Sequence, residues 1–240
     1  MLETLMALVA AHLVADFLLQ TDWLVDQKSK AWGMALHIGC VVVVAFLALG
    51  FLDAVILGAI LVTHLAMDVI KTHWLPKSLW SFLLDQAVHL AVIAALAVCF
   101  PAAASRGWWG RMEAPDQAIY YAGLAALSGL ILSVLVGGIV IGMLMDPLAK
   151  SINDTQKGLK NGGRYIGWLE RGLALVFFLI GQPEGIGFLL AAKSVLRFGD
   201  IAQTKEREHT EYVIIGTMLS FGWALAVAVI THAVVHHWKS

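Results

Sequence analysis

Residues 34–51 run for eighteen positions with a single ionisable side chain, His37. A helix needs about 20 largely apolar residues to cross the hydrocarbon core of a bilayer, where backbone groups are satisfied only inside a helix or a closed barrel. This run is one of a series. Eight spans are expected, at roughly 2–21, 34–51, 53–73, 79–100, 117–146, 165–181, 183–197 and 211–235. Hydrophobic residues make up 60% of the chain and charged residues 14%, against about 45–50% and about 25% in a soluble domain. So few charges do not cover a soluble surface, which excludes a soluble enzyme, a disordered chain and a nucleic-acid binder. The expected fold class is all-α: a polytopic membrane helical bundle of about eight transmembrane helices. Two four-helix halves, 1–100 and 117–240, would be joined by an external interfacial loop at 101–116, where Trp108 and Trp109 suit a headgroup belt.

Positive charge orients such a bundle. With the N-terminus outside, Lys28, Lys30, Lys71, Lys77, Lys150, Lys157, Lys160, Arg164, Arg197, Lys205 and Arg207 fall on cytoplasmic connections or helix ends, and only Arg106, Arg111 and Lys239 fall outside. Both termini are therefore expected on the outer side. Glu3 in place of a basic segment, with His12 and Asp16 inside the first apolar stretch, argues against a cleavable signal peptide. Cys40 and Cys99 lie in apolar runs and read as buried small hydrophobes. The fifth span is long enough to tilt or kink around Gly137, Gly138 and Gly142, and spans six and seven, parted by Gln182 and Pro183, read as a tight hairpin.

Ionisable groups inside a membrane are costly, about 2.5–3.5 kcal/mol for an Asp, Lys or Arg at a helix centre on insertion scales, so each invites a functional reading. The first half holds a dense set. His12, Asp16 and Gln20 follow at i, i+4 steps on one helix face; His37 opens the second span; His64, Asp68 and Lys71 end the third; Asp85, Gln86 and His89 begin the fourth. The His/Asp order reverses in the fourth span because that helix runs the other way. All these groups then fall in the cytoplasmic half of the bilayer. Four imidazoles and three carboxylates at one depth suit a divalent transition metal such as zinc, manganese or iron, in one or two ions. His12, Asp16, His37, His64, Asp68, Asp85 and His89 are the candidate ligands, with Gln20 and Gln86 orienting the imidazoles. The competing reading is an Asp–His hydrogen-bond network without metal. His73, His209, His232, His236 and His237, near helix ends or in loops, read as solvated or interfacial.

The second half is polar in another way. Asn153 to Gly163 leads into Gly163-Arg164-Tyr165-Ile166-Gly167-Trp168-Leu169-Glu170-Arg171; Lys193 and Arg197 share a face at the end of the seventh span; Glu211-Tyr212 opens the eighth. Glu170, Arg171, Lys193 and Glu211 fit an ion-pair network that ties helices together. Equally, Arg171, Lys193 and Arg197 fit a site for phosphate oxygens. The glycines of 162–167 match no phosphate-loop or dinucleotide fingerprint.

These motifs together resemble the bacterial membrane-protein family of unknown function 3307. The resemblance is carried by His12-Leu-Val-Ala-Asp16-Phe-Leu-Leu-Gln20, His64-x-x-x-Asp68-x-x-Lys71 and Asp85-Gln86-x-x-His89. It extends through Gly163-Arg164-x-Ile166-Gly167-x-Leu169-Glu170-Arg171, Ala192-Lys193-Ser194-x-x-Arg197-Phe198 and Glu211-Tyr212-x-x-Ile215-Gly216-Thr217-x-x-Ser220. It implies a bacterial inner-membrane protein and brings no activity. The His/Asp helices are more distantly similar to membrane-bound metal-dependent hydrolases, which supplies a reaction class. The expectation is a membrane hydrolase acting on a phosphate ester or anhydride, with a membrane lipid as the bearer of the phosphate. Asp16 or Asp85, whichever is not a ligand, would act as general base, and Lys71, Arg171, Lys193 and Arg197 would neutralise the phosphate. Two alternatives stay open: a transporter or channel using the His/Asp groups as a metal or proton path, and a non-catalytic membrane partner protein with a polar packing network. The outer half of the bilayer, bare of charge from Gly39 to Gly50, weighs against a path.

Overall fold

The computed structural model of the chain describes residues 1–151, 161–203 and 207–239, and every regular element among them is helical. Helix α1 is Leu2–Leu13 and runs on through a π-turn, Val14–Leu19. Then come α2 (Asp22–Gln27), α3 (Ala31–Leu49), α4 (Ala54–Trp74), α5 (Leu79–Cys99) and α6 (Ala114–Ile131). A second π-turn, Leu132–Val136, leads into α7 (Gly137–Ser151), followed by α8 (Gly162–Leu179), α9 (Glu184–Gln203) and α10 (Arg207–Lys239). Among the described residues six stretches are long and apolar enough to cross a membrane: Leu2–Leu19, Ala31–Leu49, Ala54–Trp74, Leu79–Cys99, Ala114–Lys150 and Glu208–Lys239. The chain is thus built as a multi-pass membrane protein. Helices α8 and α9, where spans six and seven were expected, do form and pack as a hairpin about Gly181 (φ 74°), but they are not among the six. Arg164, Glu170 and Arg171 on one and Lys193, Arg197 and Asp200 on the other dilute their apolar character.

The chain divides into two compact units, Met1–Ile131 with Val234–Ser240, and Leu132–Ala233. The segment 101–116 lies inside the first.

In the first unit α1 packs on α3 and α5, α3 on α4, and α4 on α5, so these four close a ring, while α6 lies against α1. Ala7, Ala10, Ala11 and Ala15 make α1 narrow enough for neighbours on several sides, and it is the most enclosed of the six apolar stretches. Local signals set the helix starts. Thr21 Oγ1 accepts from Leu24 N, Asp53 from Val55 N and Ile56 N, and Ser78 from Ser81 N, each satisfying first-turn amides that have no partner within the helix. Helix α3 stops at Gly50, in the left-handed region at φ 76°. Its last carbonyls are taken up from outside: Leu47 O accepts from Trp109 Nε1 at 2.7 Å, Ala48 O from the Tyr120 hydroxyl at 2.8 Å and Gly50 O from Trp108 N at 2.9 Å. The loop after α5 is therefore folded onto one end of this bundle. Leu8, Leu49, Ile56, Ile60 and Leu96 fill that end as a dry core. The cysteines are free thiols; Cys40 is half-buried and Cys99 is exposed on the apolar surface of α5, so only Cys40 comes near the buried state expected of both.

In the second unit Ala174 and Leu175 of α8 and Phe221, Ala224 and Ala228 of α10 are buried. The π-turn Leu132–Val136 sits just before Gly137, near which a tilt or kink was expected, and its carbonyls are used. Leu132 O accepts from Trp223 Nε1 at 2.9 Å and Val134 O from Arg171 Nη2 at 3.1 Å.

Candidate metal centre

The seven candidate ligands come from α1, α3, α4 and α5, the four helices of the ring, and they meet inside it. None exposes more than 8% of its surface. The helical period explains the convergence: His12 and Asp16, His64 and Asp68, and Asp85 and His89 are each i, i+4 pairs, so each helix aims two side chains at the same level. His37, wholly buried on α3, fills the remaining side.

The nitrogen and oxygen atoms of the cluster lie close together. His64 Nε2 lies 3.2 Å from Asp16 Oδ1, 3.7 Å from Asp68 Oδ2 and 3.3 Å from His37 Nε2. His37 Nε2 lies 3.2 Å from Asp68 Oδ2 and 3.6 Å from Asp16 Oδ1. Neighbouring ligands around a tetrahedral ion with bonds of about 2.0–2.1 Å are about 3.3 Å apart. Three overlapping donor groups result: His12, Asp16 and His64; His37, His64 and Asp68; Asp68, Asp85 and His89. In each, one donor atom per residue lies within 4.8 Å of the others.

Hydrogen bonds around the cage fix what it presents. Gln86 Nε2 donates to Asp85 Oδ2 at 2.9 Å, which leaves Gln86 Oε1 to accept from His12 Nε2 at 3.1 Å. The proton of a neutral His12 is thereby held on Nε2, and the Nδ1 lone pair faces Asp16 Oδ2 at 3.7 Å. His12 Nδ1, Asp16 Oδ1, His37 Nδ1, Asp68 Oδ2, Asp85 Oδ1 and His89 Nε2 are buried and have no partner in hydrogen-bonding geometry. Buried polar atoms nearly always have a partner, and a lone pair set against a carboxylate calls for a cation between them.

Two lysines complete the cluster. Lys28, read in the sequence only as a loop charge, is buried; its Nζ lies 2.8 Å from both oxygens of Asp68 and 2.8 Å from Gln20 Oε1. Lys71 pairs with Asp85 while keeping a third of its side chain exposed. Gln86 thus orients an imidazole as expected. Gln20 holds Lys28 and bonds no imidazole, because the π-turn Val14–Leu19 breaks the i, i+4 register between Asp16 and Gln20. Against His12, His64 and His89 lies a cavity of about 20 Å³, room for one water, lined elsewhere by residues that include Leu8, Val41 and Ile93.

The polar residues of the second half belong to the second unit. Arg171 is buried, donates to Ser220 Oγ at 3.1 Å and to Val134 O, and has no carboxylate in ion-pair range among the described residues. Gly138 and Gly167 make room for it: a Cβ at Gly167 would lie 2.9 Å from Nη1. Lys193 pairs with Glu170 at 2.7 Å, a contact of the kind the ion-pair reading of these residues foresaw. Glu211 is exposed at the start of α10. The side chain of Arg197 and residues 152–160 lie outside what the structure describes.

Residues 4–109 match the model of a family described as protein of unknown function (DUF3307). The matched stretch holds the α1–α5 bundle, all seven candidate ligands, Gln20, Gln86, Lys28 and Lys71; the motifs of 163–220 lie beyond it. No curated protein and no solved structure matches the chain.

Proposed function

We propose that this chain is an integral-membrane, metal-dependent hydrolase of a bacterial inner membrane, acting on a phosphate ester or anhydride of a lipid at the cytoplasmic leaflet. The observation that carries the reading is the convergence of four imidazoles and three carboxylates, all buried, at the mutual spacing of metal ligands. Nitrogen and carboxylate donors together suit zinc, manganese or iron. When bound, a divalent ion lowers the pKa of a water to about 7 and polarises a phosphoryl group. The chain's own groups do the rest. Gln86 fixes the His12 tautomer, Asp85 or Asp16 takes the proton of the attacking water, and Lys71, the partly exposed cation of the cluster, meets the phosphate charge.

Sidedness is supported by what surrounds the cluster. Lys28, Lys30, Lys71 and Lys77 and the exposed Trp23, Trp32, Trp74 and Trp80 belong to the helix ends and connections at the cluster's end of the bundle. Basic residues favour the cytoplasmic side, and tryptophans the headgroup level. The opposite end is apolar core, which disfavours a path through the bilayer. In this reading α8 and α9 also cross, giving eight spans and both termini outside. Their charges are met internally, Glu170 by Lys193 and Arg171 by Ser220 and the Val134 carbonyl, which lowers the cost of burial.

Elemental analysis of detergent-purified protein without a chelating tag tests the centre. Wild type is expected to carry a transition metal that His64→Ala loses. No metal after supplementation with zinc, manganese and iron would leave a polar packing network. Release of inorganic phosphate from lipid phosphates by the loaded protein tests the reaction; its failure with metal bound would sink the hydrolase and spare the centre.

A further inference from the structure

The three carboxylates of the cluster are not equivalent. Asp68 is met by the Lys28 ammonium, 2.8 Å from both of its oxygens, and Asp85 by the Lys71 ammonium. Asp16 meets imidazoles alone: His64 at 3.2 Å, His37 at 3.6 Å and His12 at 3.7 Å. Buried charges are paired, and among the described residues Asp16 is the one of the three that meets no lysine or arginine.

The donor groups overlap at His64, and Asp68 Oδ2 also lies 3.2 Å from His37 Nε2 and 3.7 Å from His64 Nε2. Asp16 Oδ1, His37 Nε2 and His64 Nε2 form a triangle with sides of 3.2, 3.3 and 3.6 Å, one face of a tetrahedral ligand set. His12 stands beside it with Nδ1 turned to Asp16 by Gln86. The group Asp68, Asp85 and His89 is the one that carries both ammoniums. His89 Nε2 faces Asp85 Oδ1 at 3.2 Å, and its ring stacks flat on His64, with centroids 3.9 Å apart. A second divalent ion there would have to displace two ammoniums already paired with the same carboxylates.

On the reading of this cluster as a metal centre, we infer that it is mononuclear: one divalent ion on Asp16, His12, His37 and His64, with Lys28 and Lys71 holding Asp68 and Asp85 in place of a second ion. The two lysines then supply, beside the ion, the positive charge that a second metal supplies to a phosphoryl group in a two-metal site. Lys28 is brought there by α2 and is anchored by Gln20; Lys71 comes from the last turn of α4.

Zinc titration of the detergent-purified full chain, read by elemental analysis after removal of free ion, tests this. Wild type is expected to saturate at one equivalent, Asp16→Asn to bind none, and the double variant Lys28→Leu with Lys71→Leu to bind two. Saturation of wild type at two equivalents, or a folded double variant that stays at one, would overturn the assignment. Should the double variant not fold, Asp85→Asn decides: retention of the full equivalent supports the inference, and its loss overturns it. Wild type that binds no zinc removes the metal centre itself, whereas two equivalents remove only its single occupancy.

Discussion

Gln86 shows what one uncharged residue does in this cluster. Its amide is oriented by Asp85 and in turn sets the proton of His12, so the ring presents Nδ1 to Asp16. Residues that orient a ligand in this way are worth about 10–100-fold in metal affinity. Gln86→Ala should therefore weaken zinc binding by about 10–100-fold without changing the number of ions at saturation, as measured by competition with a chelator. His73→Ala is the control. That ring is exposed, bonds the Val69 carbonyl of its own helix, and should leave affinity unchanged. Six of the seven candidate ligands were legible in the sequence because helical spacing alone puts i and i+4 on one face, and the reversed run of the fourth helix puts all three pairs at one depth. Lys28 was not. It follows a π-turn and a six-residue helix, and no periodicity states where a lysine beyond such a break will point.

Helix α2 is the element that delivers Lys28, and its seat on α3 depends on Gly33. A Cβ at Gly33 would overlap the backbone of Gln27, the residue before Lys28. Overpacking of this kind costs about 1–3 kcal/mol, and here relief would lift α2 away from the bundle. Gly33→Ala is expected to lower the unfolding midpoint in detergent, whereas Gly39→Ala, whose Cβ meets nothing within 4 Å, should match or exceed wild type. An unchanged midpoint for Gly33→Ala would mean that α2 shifts freely, and that Lys28 is not held by this contact. The sequence showed the long apolar helices at once, since length and hydropathy suffice for that. It did not show α2, too short for a period, or the two π-turns, which alter register without altering composition. The register change matters chemically: it takes Gln20 off the His12–Asp16 face and gives it to Lys28.

At the scale of the whole chain, topology decides on which side of the membrane the His/Asp cluster lies. Helices α8 and α9 form a hairpin, so they either both cross or both do not. In either case α10 enters the bilayer from the same side, and the sidedness of the first unit is unaffected by the span count. Two questions can thus be asked separately with single cysteines in a Cys40→Ala, Cys99→Ala background and a membrane-impermeant thiol reagent. Lys77→Cys, in the short connection between α4 and α5, should label only from the cytoplasmic side, and Arg111→Cys, in the loop folded over the opposite end, only from outside. The reverse pattern would put the metal centre in the outer leaflet and with it any lipid substrate. Gln182→Cys reports on the hairpin. Its turn is tight, with Gln182 N bonded to Phe177 O at 2.8 Å, so a label there marks how far the pair reaches. Labelling from outside means that both helices cross with Glu170–Lys193 and Arg171 satisfied within the membrane, and the chain has eight spans. Labelling from the cytoplasmic side means that these charges keep the hairpin from crossing, and the six long apolar stretches are the whole of the transmembrane bundle.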